Sequence, residues 1–288
     1  PIIVAATATL TSNGKDIPYL RFLNTITVTL ADDWTVTENL YFPNSLITVT
    51  LNSNNIYVSG GTITQANGCT VNGTTTLHVT GTVNWTAGSN YISNPIVINT
   101  AGTFTLSNNF NLSGNTITWI SGTMASSGSA TSLYGNVTFT GTGLSFNNIT
   151  ALANTVLTLS NDITILGSIS GHGSAATFVI NGNNMYVGGG LSTGVNTTIS
   201  GTTNIILNGT GTISTASSSG NYRNNIEINT AGTITISGTF RYSVGIFKYT
   251  TAGSIVATGS AFTIIGSATL DTAGMTFVNI TTTGAPTL

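Results

Sequence analysis

Asn54-Asn55-Ile56-Tyr57-Val58-Ser59-Gly60-Gly61 returns 129 positions later as Asn183-Asn184-Met185-Tyr186-Val187-Gly188-Gly189-Gly190, with six of eight residues identical. A fixed internal period is the signature of an array whose units bury their apolar faces only against their neighbours. Displacements of 130 and 128 positions occur elsewhere. Val97–Ser107 (VINTAGTFTLS) reappears as Glu227–Ser237 (EINTAGTITIS) with eight of eleven identities, and Gly73–Thr82 (GTTTLHVTGT) reappears as Gly201–Thr210 (GTTNIILNGT). A further marker, apolar-x-Phe-x-Asn, occurs at Leu20–Asn24, Leu144–Asn148 and Met275–Asn279. These landmarks divide one continuous array into a leading segment 1–19, copy one over 20–143, copy two over 144–274 and the start of a third copy over 275–288.

Within each copy the grain is finer. Runs of three to six residues such as Thr103–Leu106, Thr116–Ile120, Asn136–Phe139, Val156–Leu159 and Ile163–Ile165 are separated by clusters of Gly, Asn and Ser, which read as strands and turns. In Thr25-Ile26-Thr27-Val28-Thr29-Leu30 every second residue is aliphatic, so one face is apolar and the other is a row of hydroxyls. That parity directs Ile26, Val28, Leu30, Ile56, Val58, Ile96, Ile98, Val137, Phe139, Ile226 and Ile228 inward. No stretch keeps a 3.6-residue apolar period, so the expectation is an all-β chain.

Two all-β architectures fit: a parallel β-helix, or β-solenoid, built from two long internal repeats, and a pair of tandem β-sandwiches. Sandwich strands carry turn signals roughly every 8–12 residues, whereas here turns arrive every six to eight. The shorter spacing favours the solenoid, with coils of three strands and about 20 residues, about 14 in the chain.

Thr, Gly, Asn and Ser make up 153 of the 288 residues, or 53%, while charged residues are 4%. Disordered chains combine low hydrophobicity with high net charge; this one is 40% hydrophobic with a net charge of -2. In a stack of coils each position lies over its equivalent, which suits Thr, Val and Ile, lets Asn form ladders and sets like charges against each other. Lys15, Arg21, Arg223, Arg241 and Lys248 are scattered, so the clustered cations that nucleic-acid binding needs are missing. No apolar run approaches the ~18 residues of a membrane helix, so membrane insertion is not expected. Cys69 stands alone, so no disulfide framework is expected within the chain.

INTAGT at Ile98–Thr103 and Ile228–Thr233, together with the marker extended through Met275–Thr282, resembles the long Thr/Gly/Asn-rich repeat proteins among phage tail-fibre-like and bacterial surface adhesin-like sequences. The resemblance implies right-handed β-helical architecture and an exposed structural or adhesive role, and it carries over no site residues.

Candidate chemistry is sparse. Asp32, Asp33 and Glu38, with Asp16 one coil earlier, form the densest carboxylate group, and glycosidic cleavage needs a pair at about 5–9.5 Å. Asp33 has a counterpart in Asp162, each following apolar-Thr-Leu near a strand end, where Asp acts as a turn-former. His78 lies in a strand with Ile206 as its equivalent, and His172 lies in the turn Gly171-His172-Gly173; an isolated His makes no metal site. Gly188-Gly189-Gly190 lacks the Asp of calcium-binding β-rolls. Trp34, Trp85, Trp119, Tyr91 and Tyr222 suit packing better than sugar-stacking platforms. Sequons such as Asn72-Gly73-Thr74 and Asn136-Val137-Thr138 follow from composition alone. Thr-x-Thr rows at Thr25-Thr27-Thr29 and Thr233-Thr235 invite an ice-binding reading, which would require such rows once per coil in register, whereas along the sequence they recur irregularly.

The expectation is therefore a non-enzymatic extracellular, cell-surface or virion-surface fibre protein without catalytic, metal or cofactor sites. Its partners would be further copies of itself, end to end or within a longer array whose third copy starts without a cap, and cell-surface glycans. The alternatives are a fibre-borne polysaccharide depolymerase and an ice-binding protein.

Overall fold

Alternation of aliphatic and polar residues becomes, in a computed structural model, a set of parallel strands stacked coil upon coil as a β-solenoid of about 12 turns. The structure describes residues 1–42, 46–126, 128–172, 176–216, 219–251, 253–257, 261–271 and 280–284, and among them there is no helix. The third occurrence of the marker, Met275–Asn279, lies outside the described residues, as does Gly173 of the His172 turn. Two units emerge: residues 1–132 with 136–145, and residues 133–135 with 146–288.

In the first unit the core is made of columns in which each coil contributes one residue. Ile17, Val36, Val58, Val79, Ile98 and Trp119 follow one another in register, as do Leu20, Leu40, Ile63, Trp85 and Leu106. A third column, Ile26, Val49, Val71, Ile92 and Leu112, lines the opposite wall. Every member of these columns is buried. Full burial of one such aliphatic side chain is worth about 1.5–3 kcal/mol, so each coil supplies several anchors.

The second unit repeats the plan. Ile149, Ile169, Leu191, Ile213 and Ile236 form one column, and Ile163, Met185, Ile205, Ile226, Phe247 and Leu270 another. Larger rings pack beside that second column. Phe240 meets Tyr222 at 5.1 Å, Phe262 at 4.9 Å and Phe247 at 5.7 Å between ring centroids. All eleven residues expected to point inward are buried, none above 4% exposure.

Two expectations are corrected. Most strands keep the expected three to six residues, as at Asn136–Thr140, Thr155–Leu159 and Ile163–Ile165, but some are longer: Thr103–Leu106 lies in the second half of Ile96–Ser107, which stays extended through a corner by slipping register between Asn99 and Thr103. Coils are also uneven, from 18 residues between Ile2 and Leu20 to 23 between Ile26 and Val49, and about 12 turns form instead of about 14.

Polar side chains join the coils at their turns. In the second unit Asn184 Nδ2 reaches Asp162 Oδ2 (3.4 Å), Asn204 Nδ2 donates to Asn184 Oδ1 (3.0 Å), and Asn225 Nδ2 donates to Asn204 Oδ1 (2.9 Å). The ladder closes where Asn225 Oδ1 accepts the backbone N–H of Ile246 (3.0 Å). The sequence repeat that opens the first subsection has the same physical basis in both units. Asn54 Nδ2 donates to the Leu30 carbonyl (2.7 Å) and Asn183 Nδ2 to the Leu159 carbonyl (3.1 Å), each one coil back.

Candidate functional site

Of the carboxylates singled out by sequence, Asp32 and Asp33 are spent on the stack. Asp32 Oδ1 accepts the backbone N–H of Ser12 (2.7 Å) and the indole N–H of Trp34 (3.1 Å), while its Oδ2 accepts the Ser12 hydroxyl (2.9 Å) and the Asn13 N–H (2.8 Å). The Ser12 N–H, foremost among these donors, holds the Asp32 carboxyl below the ordinary aspartate range. Asp33 turns the other way along the stack and accepts the N–H of Asn55 (2.8 Å), as Asp162 accepts that of Asn184 (2.9 Å). Asp33 and Asp162 are equivalent, as the sequence suggests, but their acceptors bond the next coil and not their own turn. Glu38 and Asp16 are exposed, and no hydrogen bond joins either to Asp32 or Asp33.

His78 stacks on Tyr57 of the preceding coil, with 4.5 Å between ring centroids and 21° between planes. Partial burial lowers its pKa, against the opposing pull of Asp33. Trp34, Trp85 and Trp119 are buried, as is Tyr222, whose hydroxyl donates to the Ser214 carbonyl (2.8 Å). Among the described residues no group of three or more His, Cys, Asp or Glu is placed to hold a metal ion, and no helix is long and apolar enough to cross a membrane.

Charges do not stack like against like. In one outward column of the second unit Ile206, Glu227, Lys248 and Asp271 succeed each other, so Lys248 lies between two carboxylates. On another face of that unit, Thr150, Ser170, Ser192, Ser214 and Ser237 form an outward hydroxyl column. A shallow groove of about 520 Å³ runs beside it, lined by Ser170, His172, Ser192, Val195 and Ser214 among others, with no charged residue.

The first unit carries the more regular surface. Its separate four-stranded parallel sheet consists of Ala8–Leu10, Ile26–Leu30, Thr48–Ser53 and Thr70–Gly73. Facing outward and in register are Thr9 over Thr29 over Asn52, Thr27 over Thr50 over Asn72, and Thr48 over Thr70. Thr7 and Thr25 extend the array at the strand starts, where their hydroxyls accept the N–H groups of Thr27 (3.2 Å) and Thr48 (3.3 Å). Eight threonines thus occupy four successive coils. The sequence reading missed this register because rows 20 to 23 residues apart do not line up along the chain: the step is 20 from Thr9 to Thr29, 23 from Thr27 to Thr50 and 22 from Thr48 to Thr70.

No protein-family model, curated protein or solved structure matches the chain. The fold therefore rests on its own strand register and burial.

Proposed function

We propose that this chain is a non-enzymatic structural and adhesive surface protein, exposed on a cell or virion and extended by end-to-end association of its coils. The observation that carries this reading is the use made of the polar side chains. Asp32, Asp33, Asp162, Asn184, Asn204 and Asn225 bond neighbouring coils, and the small pocket that Asn204 and Asn225 line beside Glu227 and Lys248 has a single carboxylate in its lining, not the pair that glycosidic cleavage needs. The parallel register that joins one coil to the next is complementary to any open strand edge, so a second copy can continue the stack by the same backbone hydrogen bonds. The tail-fibre and adhesin resemblance points the same way, and the groove beside Ser170, Ser192 and Ser214 offers neutral hydroxyls to cell-surface glycans.

Two measurements test it together. Electron microscopy and sedimentation of the purified chain should show linear assemblies whose length grows with concentration. Incubation with capsule and cell-wall polysaccharides should release no reducing sugar. Sustained release that is lost in Asp33→Asn or Glu38→Gln would establish the depolymerase alternative, and a strictly monomeric protein at all concentrations would remove the assembly.

A further inference from the structure

Three properties mark the threonine sheet of the first unit. It is periodic in two directions: neighbouring threonines on one strand lie roughly 6.6 Å apart and those on successive coils about 4.8 Å apart. It is uncommitted, because among the described residues the hydroxyls of Thr9, Thr27, Thr29, Thr48 and Thr50 have no protein hydrogen-bond partner. Some coil hydroxyls elsewhere are consumed, as where Ser107 bonds Asn84 (2.8 Å) or Thr250 bonds Glu227 (2.6 Å). And it is chemically uniform, since the outward positions of its four strands hold no charged and no aromatic residue.

A surface of this kind suits a ligand that is itself uncharged and repeats in two dimensions. A polysaccharide chain repeats in one, and platforms that hold sugars by stacking need aromatic rings, which this sheet lacks. Phosphate-bearing and acidic partners need cations, which it also lacks. Threonine adds stiffness: branching at Cβ restricts χ1, so each side chain holds a hydroxyl and a methyl at a fixed place on the pleat. Water bridging such a pre-set row loses little further freedom, against an ordering cost of up to about 2 kcal/mol per molecule in general.

We propose that the threonine face from Thr7 to Thr70 binds ice, its hydroxyl rows holding water in the two-dimensional repeat of the crystal surface while the methyl groups fill the spaces between. This goes beyond the structural reading above and does not depend on it, since a rod that only makes length needs no uncommitted hydroxyl array.

The test is thermal hysteresis and ice shaping by the purified 288-residue chain, alongside Thr27→Lys and Thr50→Tyr on the face and Thr235→Lys in the second unit, with circular dichroism to confirm that each variant folds. The expected result is hysteresis in the parent chain, its loss in both face variants and its retention in Thr235→Lys. Absence of hysteresis in the folded parent chain overturns the proposal, and so does equal loss in all three variants. Co-sedimentation with cellulose or chitin that depends on Thr27 and Thr50, without hysteresis, overturns it in favour of a polysaccharide surface. None of these results alters the assembly measured by sedimentation, so the two readings fail separately.

Discussion

Gly14 and Gly61 share one backbone conformation, with φ of +69° and +71°, yet they meet different surroundings. A Cβ added at Gly14 has no atom within 4 Å, whereas at Gly61 it would lie 1.8 Å from the carbonyl oxygen of Glu38 on the preceding coil. Gly14→Ala therefore incurs only the left-handed penalty of an L residue, about 1–2 kcal/mol. Gly61→Ala incurs the same penalty and must also push two coils apart. Overpacking of side chains costs about 1–3 kcal/mol, and here the obstacle is backbone, so the second variant should be less stable than the first by about 2 kcal/mol or more. Urea denaturation of both proteins, followed by circular dichroism, reads the difference as a shift in midpoint at constant slope. Equal losses in the two variants would mean that the Gly61 corner does not rest on the Glu38 carbonyl, and the coil-to-coil contact would be refuted at that point.

Cys69 is buried and its thiol is pushed up to about 11 by that burial, so it should resist thiol reagents in the folded protein at mildly alkaline pH and react at once after denaturation. Trp85 is fully buried against Phe104 and Phe110 with centroids at 6.3 and 5.2 Å, and Trp85→Ala should cost about 3–5 kcal/mol in the same denaturation assay. Asp32 has a folded pKa below its ordinary value, so its contribution is complete above the ordinary carboxylate range and is lost as pH falls through the folded value. Melting temperature should accordingly drop on acidification, and by less in Asp32→Ala than in the parent chain. Asn204 both donates to Asn184 and accepts from Asn225, so Asn204→Ala should lower stability by about 1–2 kcal/mol, while Asn204→Asp, which keeps the acceptor and loses the donor, should fall as far or further.

What the sequence made legible was everything that depends on parity and on identity between copies. Ile26, Val28 and Leu30 face inward because a strand allows only two faces, and a residue's face follows from its neighbours two positions away. The match between Asn54 and Asn183 was visible because each fills the same structural need, a carbonyl one coil back. Lateral register was not legible. It depends on how many residues each corner absorbs, and the shifts between Val36 and Asn39 or between Val58 and Gly60 leave no period in composition. The same blindness hid the stacking of His78 on Tyr57, 21 residues away, and the alternation of Glu227, Lys248 and Asp271. For the candidate surface, the sequence supplied the residue type and the structure supplied the array: the row Thr25-Thr27-Thr29 stood by itself until the coils placed Thr27 over Thr50.

The register of the threonine sheet is the claim on which both the fold and the ice-binding surface stand, and paired spin labels measure it directly. In a Cys69→Ala background, labels at Thr27→Cys with Thr50→Cys should show strong dipolar broadening in continuous-wave electron paramagnetic resonance, as should Thr50→Cys with Asn72→Cys, because each pair faces outward on adjacent strands. Labels at Thr27→Cys with Ser113→Cys, several coils apart, should broaden less. Sharp, uncoupled spectra from both adjacent pairs in a folded protein would contradict the stacked coils themselves.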